Sequence, residues 1–205
     1  SDRQLDELKK LVLSKGFLKL AEDKFCTEII NLLFPQLVNL HILRNVNKTS
    51  QKIIEKKDFI FLISLMIIDH TDNSEYFVYK YNISNEDKKR IRFLSNIFSK
   101  NLDKSIFKEK NLWKILYYNN KDYLIDLIDF QIFKNKKLDK NLLSLKTFFN
   151  NQEVPKLEVK AKTLIEKFNF KEGKELGEKL KEIEEFWIEN SFKISDHELN
   201  KIIKN

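Results

Sequence analysis

Apolar residues recur at intervals of three and four along nearly the whole chain, a period that predicts helices rather than strands. Leu5, Leu8, Leu11 and Val12 open an amphipathic helix, which Gly16 is placed to end in the C′ role. Phe25, Ile29, Ile30, Leu32 and Leu33 form the next apolar face, bounded near Pro35. A short cluster follows at Leu37, Leu40, Ile42 and Leu43, and Ile53–Ile68 reads as the most buried helix. Thr71-Asp72-Asn73-Ser74 is a loop. At Ser84 a cap with acidic residues behind it starts a helix whose apolar face is Ile91, Phe93, Leu94, Ile97 and Phe98. Further amphipathic stretches run over Leu112–Leu116, Tyr123–Phe133 and Leu138–Phe149. Asn150-Asn151-Gln152-Glu153-Val154-Pro155 is polar, ends at a proline and reads as a linker. Beyond it, Leu164, Ile165 and Phe168 give a short helix. Leu176, Leu180, Ile183 and Trp187 give a longer one, and Leu199, Ile202 and Ile203 a last one capped by Ser195 or Asp196. No alternation of period two persists. The expected fold is all-α, with a multi-helix body domain over residues 1–149 and a small helical tail domain over residues 150–205.

Composition narrows this picture. A chain of 205 residues, 42% hydrophobic with 17 Phe, can bury a core. The longest apolar run, Phe59–Ile68, is too short to cross a bilayer and reads as a core helix. The first ten residues are charged and amphipathic, unlike a signal peptide. A lone cysteine, Cys26, excludes an internal disulfide, fits a reducing cytoplasm, and suits packing better than nucleophilic chemistry. His41, His70 and His197 lack metal-ligand spacing, and no Cys-x-x-Cys, Gly-x-Ser-x-Gly or phosphate-binding loop motif occurs.

The net charge of +7 invites a nucleic-acid partner, although Lys, Asn, Ile and Phe are all abundant and part of the lysine excess is compositional. Three basic clusters stand out. Lys88, Lys89, Arg90 and Arg92 sit early on one helix. Lys104, Lys108, Lys110 and Lys114 interleave with Phe107, Trp113, Tyr117 and Tyr118. Lys134, Lys136, Lys137, Lys140 and Lys146 follow the Tyr123–Phe133 stretch. Lysines and arginines neutralise phosphates and exposed aromatics stack on unpaired bases. Core aromatics opposite a solvated lysine face give the same pattern.

Two of the three glycines, Gly173 and Gly177, lie four residues apart in a helical segment, where glycine costs about 1 kcal/mol relative to alanine. They permit either close helix packing, the commoner use, or approach of a phosphate to a helix N-terminus. In their setting a pattern emerges. Pro155, Leu164-Ile165, Gly173, Gly177, Leu180, Ile183 and Trp187 resemble, in order, the C-terminal motif of bacterial CCA-adding tRNA nucleotidyltransferases and the related poly(A) polymerases. Ala161-Lys162-Thr163 stands where that family has Gly-x-Asp, and one residue is inserted before Gly173. Upstream, Leu32-Leu33-Phe34-Pro35, Phe61–Ile68, and Ile83-Ser84-Asn85-Glu86 followed by Lys88–Arg90 are similar to the family's body helices. The resemblance spans roughly residues 20–195.

It implies the tRNA-binding body and tail of an enzyme that adds CMP and AMP, from CTP and ATP with Mg²⁺, to RNA 3′ ends. The implied partners are tRNA or other RNA and an N-terminal catalytic head. The family head's Gly-Gly or Gly-Ser turn and its metal-holding Asp-x-Asp pair are absent, so the chain reads as a fragment without catalytic residues, expected to be inactive alone. The abrupt helical start at Ser1-Asp2 fits an excised piece. Candidate RNA-contacting residues are Lys88, Lys89, Arg90, Arg92, Lys134, Lys136, Lys137, Lys162, Gly173 and Gly177. A stand-alone RNA-binding or protein-interaction adaptor is the alternative.

Overall fold

The computed structural model describes residues 2–100, 103–135 and 137–204, and among them every regular element is helical. In chain order these are α1 (Asp2–Val12), α2 (Phe17–Glu22), α3 (Lys24–Leu33), α4 (Lys48–Ile54), α5 (Phe59–Ile67), α6 (Asn73–Lys80) and α7 (Asn85–Phe98). Then come α8 (Glu109–Asn119), α9 (Lys121–Lys134), α10 (Lys140–Asn150), α11 (Ala161–Phe168), α12 (Lys174–Glu189) and α13 (Asp196–Lys204). Short 3₁₀ turns cover Leu40–Leu43 and Lys104–Phe107.

The chain forms two compact units. One comprises residues 1–107 and 121–151, the other residues 108–120 and 152–205. The second unit therefore takes α8 from the middle of the sequence as well as α11, α12 and α13. The chain leaves α8 through Asn120, whose φ of 110° is in the range that few side chains tolerate. Asn45, Asn82 and Asn169 also adopt left-handed φ. In a chain with three glycines, asparagine supplies most of these turns, because its short polar side chain tolerates the conformation.

α5 is the axis of the first unit, with all nine of its residues buried. It does not continue α4. The predicted single helix over Ile53–Ile68 breaks at residues 55–58, where Asp58 turns its carboxylate onto the N–H of Phe61 at 3.0 Å and caps a new helix. α9, predicted to be amphipathic, is buried on most sides, and its inward residues include Asp126 and Asp129 as well as Leu127 and Phe130. Gly16 does not end α1. The helix stops at Val12, and Gly16, with an ordinary φ of −87°, precedes α2.

α3 departs furthest from its sequence pattern. Of the expected apolar face only Ile30 is buried, whereas Phe25, Ile29, Leu32 and Leu33 are exposed. The inward side is fixed by polar contacts instead. Thr27 is buried, its hydroxyl donates to the Lys24 carbonyl at 2.8 Å, and it accepts from Arg44 at 2.9 Å. Arg44 Nε also donates to the Ala21 carbonyl at 3.1 Å, so α3 cannot roll its apolar stripe inward without breaking this lock. Cys26 is half-buried beside it, and the Asp23 carboxylate keeps its thiol protonated above the ordinary range.

The second unit has its own core of Leu164, Leu176, Ile183, Leu199 and Ile202. Leu157 and Val159, in the irregular stretch before α11, pack on it. α13 begins with a reciprocal cap in which the Ser195 N–H donates to Glu198 at 2.8 Å and the Glu198 N–H to Ser195 Oγ at 3.3 Å.

Candidate nucleic-acid interface

α7 begins as its sequence predicts. Ser84 Oγ accepts from the Asp87 N–H at 3.2 Å, and Glu86 and Asp87 fill the first turn. Lys88 is half-buried and Lys89 exposed, and no hydrogen bond or ion pair engages either ammonium among the described residues. Arg90 belongs to the interior instead. Its guanidinium pairs with Asp58, the cap of α5, and its Nε donates to Asp126 of α9 at 2.5 Å. Burial opposes the charge on Arg90, but the two carboxylates outweigh it and raise the pKa further. Arg90 is therefore committed to joining α5, α7 and α9, and its placement among phosphate contacts is corrected on that ground. Arg92 is exposed but forked onto Glu75, with both N···O distances 2.7 Å. Arg92 in turn holds the Glu75 carboxyl below its ordinary range.

The ion cluster extends from Arg90. Lys57 Nζ donates to Asp126 Oδ1 at 2.8 Å and lies 2.8 Å from Asp129 Oδ2, an ion pair whose angle falls short of a hydrogen bond. Lys146 of α10 donates to Asp129 Oδ1 at 2.6 Å. Burial works against the Lys57 charge, yet Asp126 and Asp129 prevail and its pKa rises. Three cations thus meet three carboxylates, the balance that lets charged groups remain inside a protein. Neither aspartate stands out in the sequence, because residues at i and i+3 on an apolar helix are a common solvent-facing pattern.

Lys134 and Lys137 are exposed at and beyond the end of α9, and Lys136 lies outside the described residues. Lys134 follows Asp126 by eight residues, about 12 Å along the helix, so it does not join the Arg90 cluster. In the second unit Lys162 is exposed and sits 3.6 Å from Glu166 in a surface pair. Gly173 is the N-cap of α12, with φ 146° and ψ −165°, a region that is essentially glycine's alone. Gly177 lies in the next turn with nothing within 4 Å of where a Cβ would stand. Close packing is thus not what Gly177 serves within its unit, and the favoured reading of it is corrected.

The second basic cluster is divided, with Lys104 in the first unit and Lys108, Lys110 and Lys114 in the second. Lys110 and Lys114 pair with Glu189 of α12, which lowers the Glu189 carboxyl. Tyr117 donates to Glu184 and lies among Trp187 and Phe192, with ring centroids 5.5 and 5.6 Å away. This hydrogen bond, helped by burial, pushes the Tyr117 pKa up to about 12. Trp113 and Tyr117 are thereby packed, while Tyr118 is exposed. His70 follows the end of α5 with Nδ1 3.0 Å from the Ser99 carbonyl oxygen. Among the described residues no set of three His, Cys, Asp or Glu side chains could hold a metal ion, and no helix is long and apolar enough to cross a membrane.

No protein-family model matches the chain, and no curated protein matches it at a significant level.

Proposed function

We propose that this chain is the RNA-binding body and tail of a CCA-adding or poly(A)-adding nucleotidyltransferase, working in the cytoplasm with a catalytic head that these residues do not contain. The observation that carries the reading is the segment from Pro155 to Trp187, whose motif resembles that family's tail. It belongs to a helical unit with its own core, Gly173 caps α12 and Gly177 is open to its surroundings. Lys89, Lys134 and Lys137 have no acidic partner among the described residues and remain available to phosphates, as does Lys88, which makes no ion pair although its charge helps to lower the Glu75 carboxyl. The head would supply the metal-holding carboxylates, with Mg²⁺, CTP and ATP. The chain alone would bind tRNA by shape and backbone without polymerising.

The test is binding to deacylated tRNA across a salt series, beside a hairpin RNA of equal length. Tighter binding to tRNA, with affinity falling linearly in log salt, is expected. Equal and weak binding to both RNAs would reduce the +7 charge to composition and remove the reading.

A second reading, a protein-interaction adaptor, is favoured by the outward stripe of α3, where Leu32 is 82% and Phe25 70% exposed. Apolar patches of this kind mark interaction surfaces. In the first reading the catalytic head is a natural occupant of that face.

A further inference from the structure

In the first unit α4, α9 and α10 enclose an open groove of about 350 Å³. Its floor is the Asp129 end of the ion cluster. Asp129 is fully buried, and each of its oxygens is met by an ammonium, Lys146 on one and Lys57 on the other. Oδ2 accepts no hydrogen bond, but the Lys57 ammonium 2.8 Å away compensates its charge at the groove floor. The carboxylate fixes Lys146, whose side chain is 22% exposed and whose ammonium gives one of its three N–H groups to Asp129. Two N–H groups of an immobilised cation remain for a ligand.

The end of α4 and the turn after it add Lys52 and Lys56, both exposed and without an acidic partner among the described residues. Lys52 is on the last turn of α4 and Lys56 four residues on, in the turn that follows it. Thr49 and Asn150 also line the groove, and among the described residues neither side chain has a hydrogen-bond partner. The site is donor-rich, and its one carboxylate is already neutralised. Such a set selects an anion, and the fixed Lys146 reduces the ordering entropy of binding one. Ile53, Ile125 and Leu143 supply apolar wall beside the cations, room for sugar carbons next to a phosphate.

We infer that this groove is a phosphate-binding site that takes a backbone phosphodiester of RNA, held by Lys52, Lys56 and Lys146. The inference rests on the RNA-binding reading above and adds a site to it.

The experiment compares wild-type chain, Lys52→Gln/Lys56→Gln and a charge-matched control, Lys19→Gln/Lys24→Gln, by anisotropy of labelled deacylated tRNA over a salt series. All four lysines are exposed, so both variants should fold, which circular dichroism checks. The groove variant should bind about tenfold more weakly, with a salt slope smaller by about 2, while the control loses less than about twofold. Equal losses in the two variants would make the effect one of net charge and overturn the site. Unchanged binding by the groove variant would overturn it too, leaving RNA binding intact elsewhere. If wild type does not bind tRNA at low salt, the RNA-binding reading fails and the diester assignment with it. Titration with AMP and with inorganic phosphate, followed at the Thr49 amide by NMR, separates that result from a groove serving a free phosphate compound. Saturable shifts there that are lost in the groove variant, without tRNA binding, would replace the RNA ligand by a small one.

Discussion

Replacing Asp126 by alanine tests the interior ion cluster most directly. Asp126 is 2% exposed and accepts from Lys57 at 2.8 Å and from Arg90 at 2.5 Å, joining α9 to α7 and to the entry of α5. Removing one partner of a buried ion pair destabilises by about 3–5 kcal/mol, since the remaining charge is stranded. Here neither cation is left alone. Lys57 keeps Asp129, and Arg90 keeps Asp58, whose side chain is 56% exposed. The expected loss is therefore at the lower end, about 3 kcal/mol. With a urea slope of about 1–3 kcal/mol per molar, the midpoint should fall by about 1–3 M. Far-UV circular dichroism is the probe for the first unit. Both tryptophans, Trp113 and Trp187, lie in the second unit, and their fluorescence reports that unit separately. Arg92→Ala is the internal reference, because its pair with Glu75 is half-exposed on both sides and contributes at most about 1 kcal/mol. If Asp126→Ala cost no more than Arg92→Ala, the cluster would behave as a solvated surface network and the account of α9 as a buried polar hub would fail.

Four further outcomes follow from the geometry. Gly177→Ala should stabilise the second unit by up to about 1 kcal/mol, as alanine is the better helix former and meets open space. Gly173→Ala should destabilise it by about 1–3 kcal/mol because of its φ of 146°, and tryptophan fluorescence in urea reads both, with loss in Gly177→Ala contradicting the open site. Tyr117 should ionise near pH 12, after ordinary tyrosines at 10.0, and Glu184→Gln should lower that value in an ultraviolet titration. Since the folded state favours the protonated phenol, this contribution to stability is complete below pH 10.0 and is lost as pH rises toward 12. Glu75 should titrate below its ordinary 4.5 by carboxyl NMR, its support for the fold present above that value and lost as pH falls through the lower one. Arg92→Ala should raise it, and an unchanged midpoint would show that the fork is absent in solution.

What the sequence determined alone is local. Ser84 and Ser195 start α7 and α13 because each cap hydroxyl accepts from a backbone N–H only three residues on. The run Phe59–Ile68 is a core helix since few solvent-facing positions are available to so apolar a stretch. Periodicity also gives the all-α class. It could not say which face of α3 turns inward, because that is decided by Arg44, 17 residues beyond Thr27. Nor could it bury Asp126, whose charge is tolerated only because Lys57, 69 residues away, and Arg90, 36 away, converge on it. Separation along the chain likewise hides Lys146 as a fixed cation, 17 residues from Asp129, and it conceals α8 as a member of the second unit through Glu184 and Glu189. A helical period records how apolar each face is. Whether a charged residue belongs inside depends on the free energy of a partner that only the tertiary fold brings within about 3 Å.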